Sequence, residues 1–227
     1  MVGGVAVLAG LAYLVAHRLW YGGWTVYASG DHFAETGEFS VVGTQVDVVG
    51  RGRRLIGLVV DRDFGLAAWS PVWFLAPLGV GMLAARPTGG RWPAVAVVAA
   101  GWLNATFVAL TMHGWWVPGR QVVVVAPVAA LGLAVVAGRA RWLLATVAAL
   151  GLLGAVNWLW LARESSTGRR TLIVDFFDTA AWPYRAVRPL LPNGLHPTGA
   201  STVLLAAWAA ALAASVVVGY RMARSEY

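Results

Sequence analysis

The chain has 227 residues, 59% of them hydrophobic and 12% charged, with a net charge of +7 and no cysteine. A soluble domain is roughly 45–50% apolar and about 25% charged, so a water-soluble core of this length could not hide so much apolar surface. Disulfides, thiolate metal sites and cysteine nucleophiles are excluded, and the 17 basic residues, all arginine, are scattered over short loops instead of lining the single basic face that nucleic acid requires.

Six apolar stretches are each long enough to cross a bilayer, which takes about 20 helical residues. The first, 2–19, has no basic leader and no small-residue cleavage site, which predicts a retained span rather than a signal peptide. A long loop, 20–64, follows. If Tyr27–Phe39 forms a short helix, Asp31, Glu35 and Glu38 share one face. That face is either a solvated acidic surface with Asp31 as helix cap, or the place of a general base. A divalent cation beside His32 is the one cofactor the pattern admits. Farther on, Arg51, Arg53 and Arg54 precede the apolar Leu55–Val60, a pattern that predicts an interfacial helix with its cations at headgroup level. These arginines either anchor the chain to the membrane surface or hold a phosphate. Asp61-Arg62-Asp63 then enters the second stretch, 65–85. Its two carboxylates around an arginine serve either as an ion-paired helix cap or as groups that orient a sugar and a phosphate.

The third and fourth stretches, 93–112 and 121–138, flank His113-Gly-Trp-Trp-Val-Pro-Gly-Arg120. Trp115 and Trp116 offer faces for a sugar or belong to the interfacial aromatic belt. Other aromatics of that belt are Trp20, Tyr21, Trp69, Trp142, Trp158 and Trp160. The fifth stretch, 142–162, leads to a second long loop, 163–200, whose Trp182-Pro-Tyr184 and Arg185–Pro192 predict an amphipathic segment lying on the membrane surface. Stretch 201–219 completes the set. Pro71, Pro77 and Pro127 are expected to kink the second and fourth spans. Asn104, Thr106 and Asn157 are the most polar residues inside the spans, as interhelical hydrogen bonding would require. No ionisable residue lies near the centre of a span, which argues against an ion-coupled transporter.

The short connections on one side hold Arg86, Arg91, Arg139 and Arg141, and the carboxyl tail on that side adds Arg221 and Arg224, against Glu226 alone. The positive-inside rule makes that side cytoplasmic, with both termini, and turns both long loops and His113–Arg120 outward. The expected architecture is an all-α, polytopic transmembrane helical bundle of about six spans, forming a single integral membrane domain over 1–227 of the plasma membrane. Its two long extracytoplasmic loops carry short interfacial helices. Nucleotide-binding, zinc-peptidase and serine-hydrolase motifs are absent, and His17, His32, His113 and His196 are too dispersed to predict a metal site.

The segment Asp61-Arg-Asp-Phe-Gly-Leu66 with Ser70-Pro-Val72, and Gly114-Trp-Trp-Val-Pro-Gly-Arg120 followed by an apolar span with Pro127, resemble the later part of bacterial GT-C class glycosyltransferases. The resemblance covers about 60–135, and the Ala/Val-rich, lysine-free composition looks actinobacterial. It implies an outward-facing transferase that takes its sugar from a polyprenyl-phosphate donor. Asp31, Glu35, Asp61 or Asp63 would then deprotonate the acceptor. Arg120, with Arg51, Arg53, Arg54 or Arg62, would stabilise the departing lipid phosphate, and His113, Trp115 and Trp116 would border the sugar. Such enzymes have more spans and place their catalytic acid in the first outward loop. The chain therefore reads either as a truncated or split relative, another membrane protein supplying the missing half, or as a non-catalytic scaffold or partner subunit. A transporter of lipid-linked intermediates is a third reading.

Overall fold

The computed structural model describes residues 2–22, 48–85, 91–108, 118–170, 176–194 and 196–225. It is all-helical, with no strand among the described residues. The chain divides into two compact units, Met1–Val48 and Val49–Tyr227. The first is described over α1 (Val2–Tyr21), an apolar helix closed by Gly22 at φ 75°, whose N–H donates to the Arg18 carbonyl. Asp31 and Glu35 lie outside the described residues, as do His113, Trp115 and Trp116.

The second unit begins with short helices α2 (Val48–Gly52), α3 (Arg54–Val60) and α4 (Leu66–Trp69). A 3-10 turn over Pro71–Leu75 leads into α5 (Ala76–Ala85). Next come α6 (Arg91–Leu103), which runs into a π-turn over Asn104–Val108, and α7 (Ala126–Arg139). The long α8 (Arg141–Ser166) follows, then the short α9 (Trp182–Val187) and finally α10 (Gly199–Arg224).

The second apolar stretch is broken where the sequence breaks it. Pro71 has no N–H and forces the residue before it out of the helical region, and Ser70 sits at φ −138°, ψ 87°. The Trp73 N–H turns to the Ser70 carbonyl at 3.1 Å, so the Trp69 carbonyl loses its usual helical donor. The Asn157 side-chain amide of α8 takes that place at 2.9 Å. The other two prolines do not kink a span as the sequence led us to expect. Pro127 lies in the first turn of α7, where no intrahelical N–H is lost, and Pro77 lies at the second residue of α5.

Among the described residues, α8 and α10 are long and apolar enough to cross a membrane. Each has 26 residues and is about 39 Å long, against a hydrocarbon core of about 30 Å. Pro71–Ala85, Val95–Phe107 and Ala126–Arg139 are shorter apolar helices. Only 17% of the apolar window of α8 and 11% of that of α10 is buried, and Leu152, Leu159 and Val203 are about two-thirds exposed. Surface of this kind needs lipid or another apolar partner to cover it.

Inside the unit, α5 packs between α7 and α10. The approach is close enough to require glycine. A Cβ on Gly79 would collide with the backbone of Gly132 in α7, and one on Gly219 with the Leu78 carbonyl. Small residues at such crossings are how helices pack tightly in lipid. Gly219→Ala should cost about 1–3 kcal/mol through overpacking, read as a lowered midpoint of thermal unfolding. Gly151→Ala, on an open stretch of α8 with nothing nearby, should leave the midpoint unchanged or raise it. Equal effects at both positions would refute the packing argument.

Two ends of this unit can be distinguished. At one, Leu78, Met82, Val136, Leu143 and Ala223 form a small core, and an Arg139 Nη donates to the Met222 carbonyl. At the other, the larger core gathers Leu58, Phe64, Trp69, Leu161, Phe176 and Tyr184 under the residues described next.

Candidate functional site

The site is built on Asp61–Phe64, the turn between α3 and α4. Asp61 Oδ1 accepts the backbone N–H groups of Asp63 at 3.0 Å and Phe64 at 2.8 Å, so its side chain fixes the turn from within. Its Oδ2 accepts the N–H of Gly194 at 2.9 Å, and the Arg62 N–H donates to the Pro192 carbonyl at 3.0 Å. Gly65 is required here, because a Cβ would strike the Asp61 backbone.

Asp63 is the centre of the cluster. Its Oδ1 accepts the Tyr184 hydroxyl at 3.0 Å, and Arg188 through Nε at 2.9 Å and Nη2 at 2.8 Å. Its Oδ2 faces Arg62 Nε at 3.3 Å. Its backbone carbonyl accepts the Trp69 indole N–H at 2.8 Å. The Trp69 and Tyr184 rings stack, with centroids 4.2 Å apart, and Phe176 packs edge-on against Trp69. Burial, reinforced by the Asp63 charge, pushes the Tyr184 hydroxyl above the ordinary phenol range and keeps it a neutral donor. At Arg188 burial acts to lower the value, but the bonds to Asp63 and the contact with Tyr184 outweigh it, and the guanidinium is held above its usual range.

A second set of bonds fastens 176–188 to α8. Asn157 Oδ1 accepts the Tyr184 backbone N–H at 2.9 Å while its amide serves Trp69. Glu164 accepts the Thr179 hydroxyl at 2.6 Å, the Ala180 N–H at 3.0 Å and the Trp160 indole at 3.2 Å. Asn157 and Glu164, both buried, thus have their side-chain oxygens satisfied by the segment they hold, the condition in which buried polar groups rigidify a core.

The arginines from the sequence pattern divide. Arg62 and Arg188 are each about one-third exposed, with Asp63 almost fully buried beneath them. Arg120 is exposed on a 3-10 turn, and Gly119, at φ 84°, lies so close to Leu66 that a Cβ would clash with it. The Arg120 turn and the Asp61–Leu66 segment therefore touch. Arg51 is buried and donates to the Phe107 carbonyl at 2.5 Å, in the π-turn. Arg53 is exposed in the turn between α2 and α3, and Arg54, the first residue of α3, is half-buried. The structure thus joins Asp61, Arg62 and Asp63 to Tyr184, Arg188 and Gly194, which the sequence did not pair with them. The one signal for Tyr184 and Arg188 was their spacing of four, which puts both on one helical face.

Below the Asp61–Leu66 segment lies a nearly wholly apolar pocket of about 190 Å³, walled by Val59, Leu66, Trp73, Trp102, Val122 and Val125 among others. Two of its wall residues, Leu66 and Val122, follow Arg62 by four residues and Arg120 by two. Among the described residues no group of three His, Asp or Glu side chains is placed to hold a metal ion.

The fold and cluster define an all-helical protein with membrane-length helices and a polar clasp at one end. No family model, curated protein or solved structure matches this chain.

Proposed function

We propose that the chain is a plasma-membrane bundle of about six spans, related to GT-C glycosyltransferases, that holds a polyprenyl-phosphate sugar on its extracytoplasmic side. The observation that carries this reading is the pairing of an apolar pocket with arginines two to four residues from its walls in sequence. An isoprenoid tail fits the pocket chemistry, and a phosphate fits the exposed faces of Arg62 and Arg120. In this reading the short helices 71–85, 95–107 and 126–139 cross beside α8 and α10, with α1 as the remaining span. Asp61 and Asp63 keep the clasp in shape, which leaves Asp31 or Glu35 of the first loop as the base for an acceptor hydroxyl.

A second reading, a partner subunit without turnover of its own, is favoured by one observation. The carboxylates of Asp61, Asp63 and Glu164 are already engaged by protein donors.

Native mass spectrometry with a polyprenyl-phosphate sugar tests the first reading. The wild type should retain the donor, and Arg120→Ala and Arg62→Gln should each lower retention about tenfold, the loss of one charge-assisted bond of about 1.5 kcal/mol. Retention unchanged in both variants would end the phosphate assignment. No retention by the wild type, with a second membrane protein co-purifying, would favour the subunit reading.

A further inference from the structure

The end of the second unit opposite the clasp carries a feature that the proposed function does not use. The last turns of α10 place Arg221 and Arg224 three residues apart, on one helical face. The Arg224 guanidinium lies 6.0 Å from the Tyr220 ring centroid, which steadies it there. Arg139, at the end of α7, reaches over to the Met222 carbonyl, so a second helix brings a third cation to the same place. A helix carboxyl end carries only about half a negative charge, less than three guanidinium groups.

The open face of α10 here presents Val216, Val217, Tyr220, Arg221, Arg224 and Ser225, with no carboxylate among these described residues. Its valines lie one to two turns deeper along α10 than its arginines. A wall that is apolar below, aromatic in the middle and cationic above matches the order of acyl chain, glycerol and phosphate in a phospholipid.

We infer that the Arg139, Arg221 and Arg224 end of the bundle binds one anionic phospholipid, its phosphate on Arg221 and Arg224 and an acyl chain along Val216 and Val217. This rests on the reading of the chain as membrane-spanning. Charge complementarity selects an anionic lipid over a zwitterionic one, whose own ammonium group would face the arginines.

The test is native mass spectrometry of the full chain released from mixed micelles holding equal phosphatidylglycerol and phosphatidylcholine. Phosphatidylglycerol adducts should exceed phosphatidylcholine adducts about tenfold in the wild type. The Arg221→Gln/Arg224→Gln variant should bring the two level, whereas Arg163→Gln, an exposed arginine near the far end of α8, should change nothing. Equal adducts in the wild type, or a preference that survives the double variant or falls equally with Arg163→Gln, overturns the proposal alone. A chain that stays monomeric in water without detergent overturns the membrane reading and the proposal with it.

Discussion

Asp63→Ala should be among the most destabilising single substitutions in the chain, costing about 3 kcal/mol of unfolding free energy. The carboxylate is 6% exposed and holds one phenol and two guanidinium groups. Removing it strands the Tyr184 hydroxyl in a buried site and leaves Arg62 and Arg188 facing each other without their shared counter-charge. The figure sits at the low end of the range for broken buried pairs because the arginines are about one-third exposed and water relieves part of the loss. Thermal unfolding in detergent, followed by tryptophan fluorescence, reads it directly. A double-mutant cycle with Tyr184→Phe should show coupling, since both changes remove the same bond. A loss below about 1 kcal/mol, within the range of exposed surface pairs, would mean that the clasp is a surface ion pair and nothing more.

Asn157→Ala should cost about 2–4 kcal/mol. Asn157 is fully buried, and its amide satisfies two main-chain groups on different segments, the Trp69 carbonyl and the Tyr184 N–H. The first of these is orphaned by Pro71 and has no helical donor to return to. Asn157→Leu separates the possible causes. It restores most of the volume but neither bond, so it should be nearly as damaging as alanine. If leucine recovers wild-type stability, packing and not hydrogen bonding is what the position supplies.

The apolar segments were legible because their signal is local. The run 142–162 matches α8 over Arg141–Ser166, and the apolar residues after Arg54 do form a short helix, Arg54–Val60. The proline expectations failed at Pro127 because a proline in the first turn removes no bond, and the start of that helix, at Ala126, is set by the preceding turns rather than by composition. The clasp was half-legible. Asp61-Arg62-Asp63 stands out in any apolar chain, but its partners Tyr184, Arg188 and Gly194 lie more than a hundred residues later. Pairings at that separation are set by how the helices pack, and no periodicity in one segment encodes them. Asn157 shows the same limit. Its polarity inside an apolar helix was visible, while its purpose depends on a proline in another segment, Pro71. The loop residues Asp31, Glu35, His113, Trp115 and Trp116 lie outside the described structure, so their sequence readings stand as they were.

The pairing of α5 with α10 has a consequence for how the protein is made. The glycine-lined contact joins residues near 78–81 to residues near 216–220, so the first half of it is synthesised long before the second. The Asp61 bond to Gly194 spans a similar interval. The crossing cannot form before residues near 216–220 are made, nor the bond before Gly194 is. The earlier segments must wait with one face of α5 uncovered, a delay typical of folds dominated by distant contacts. Loss of α10 alone would leave both the helix crossing and the core beneath the clasp unfinished.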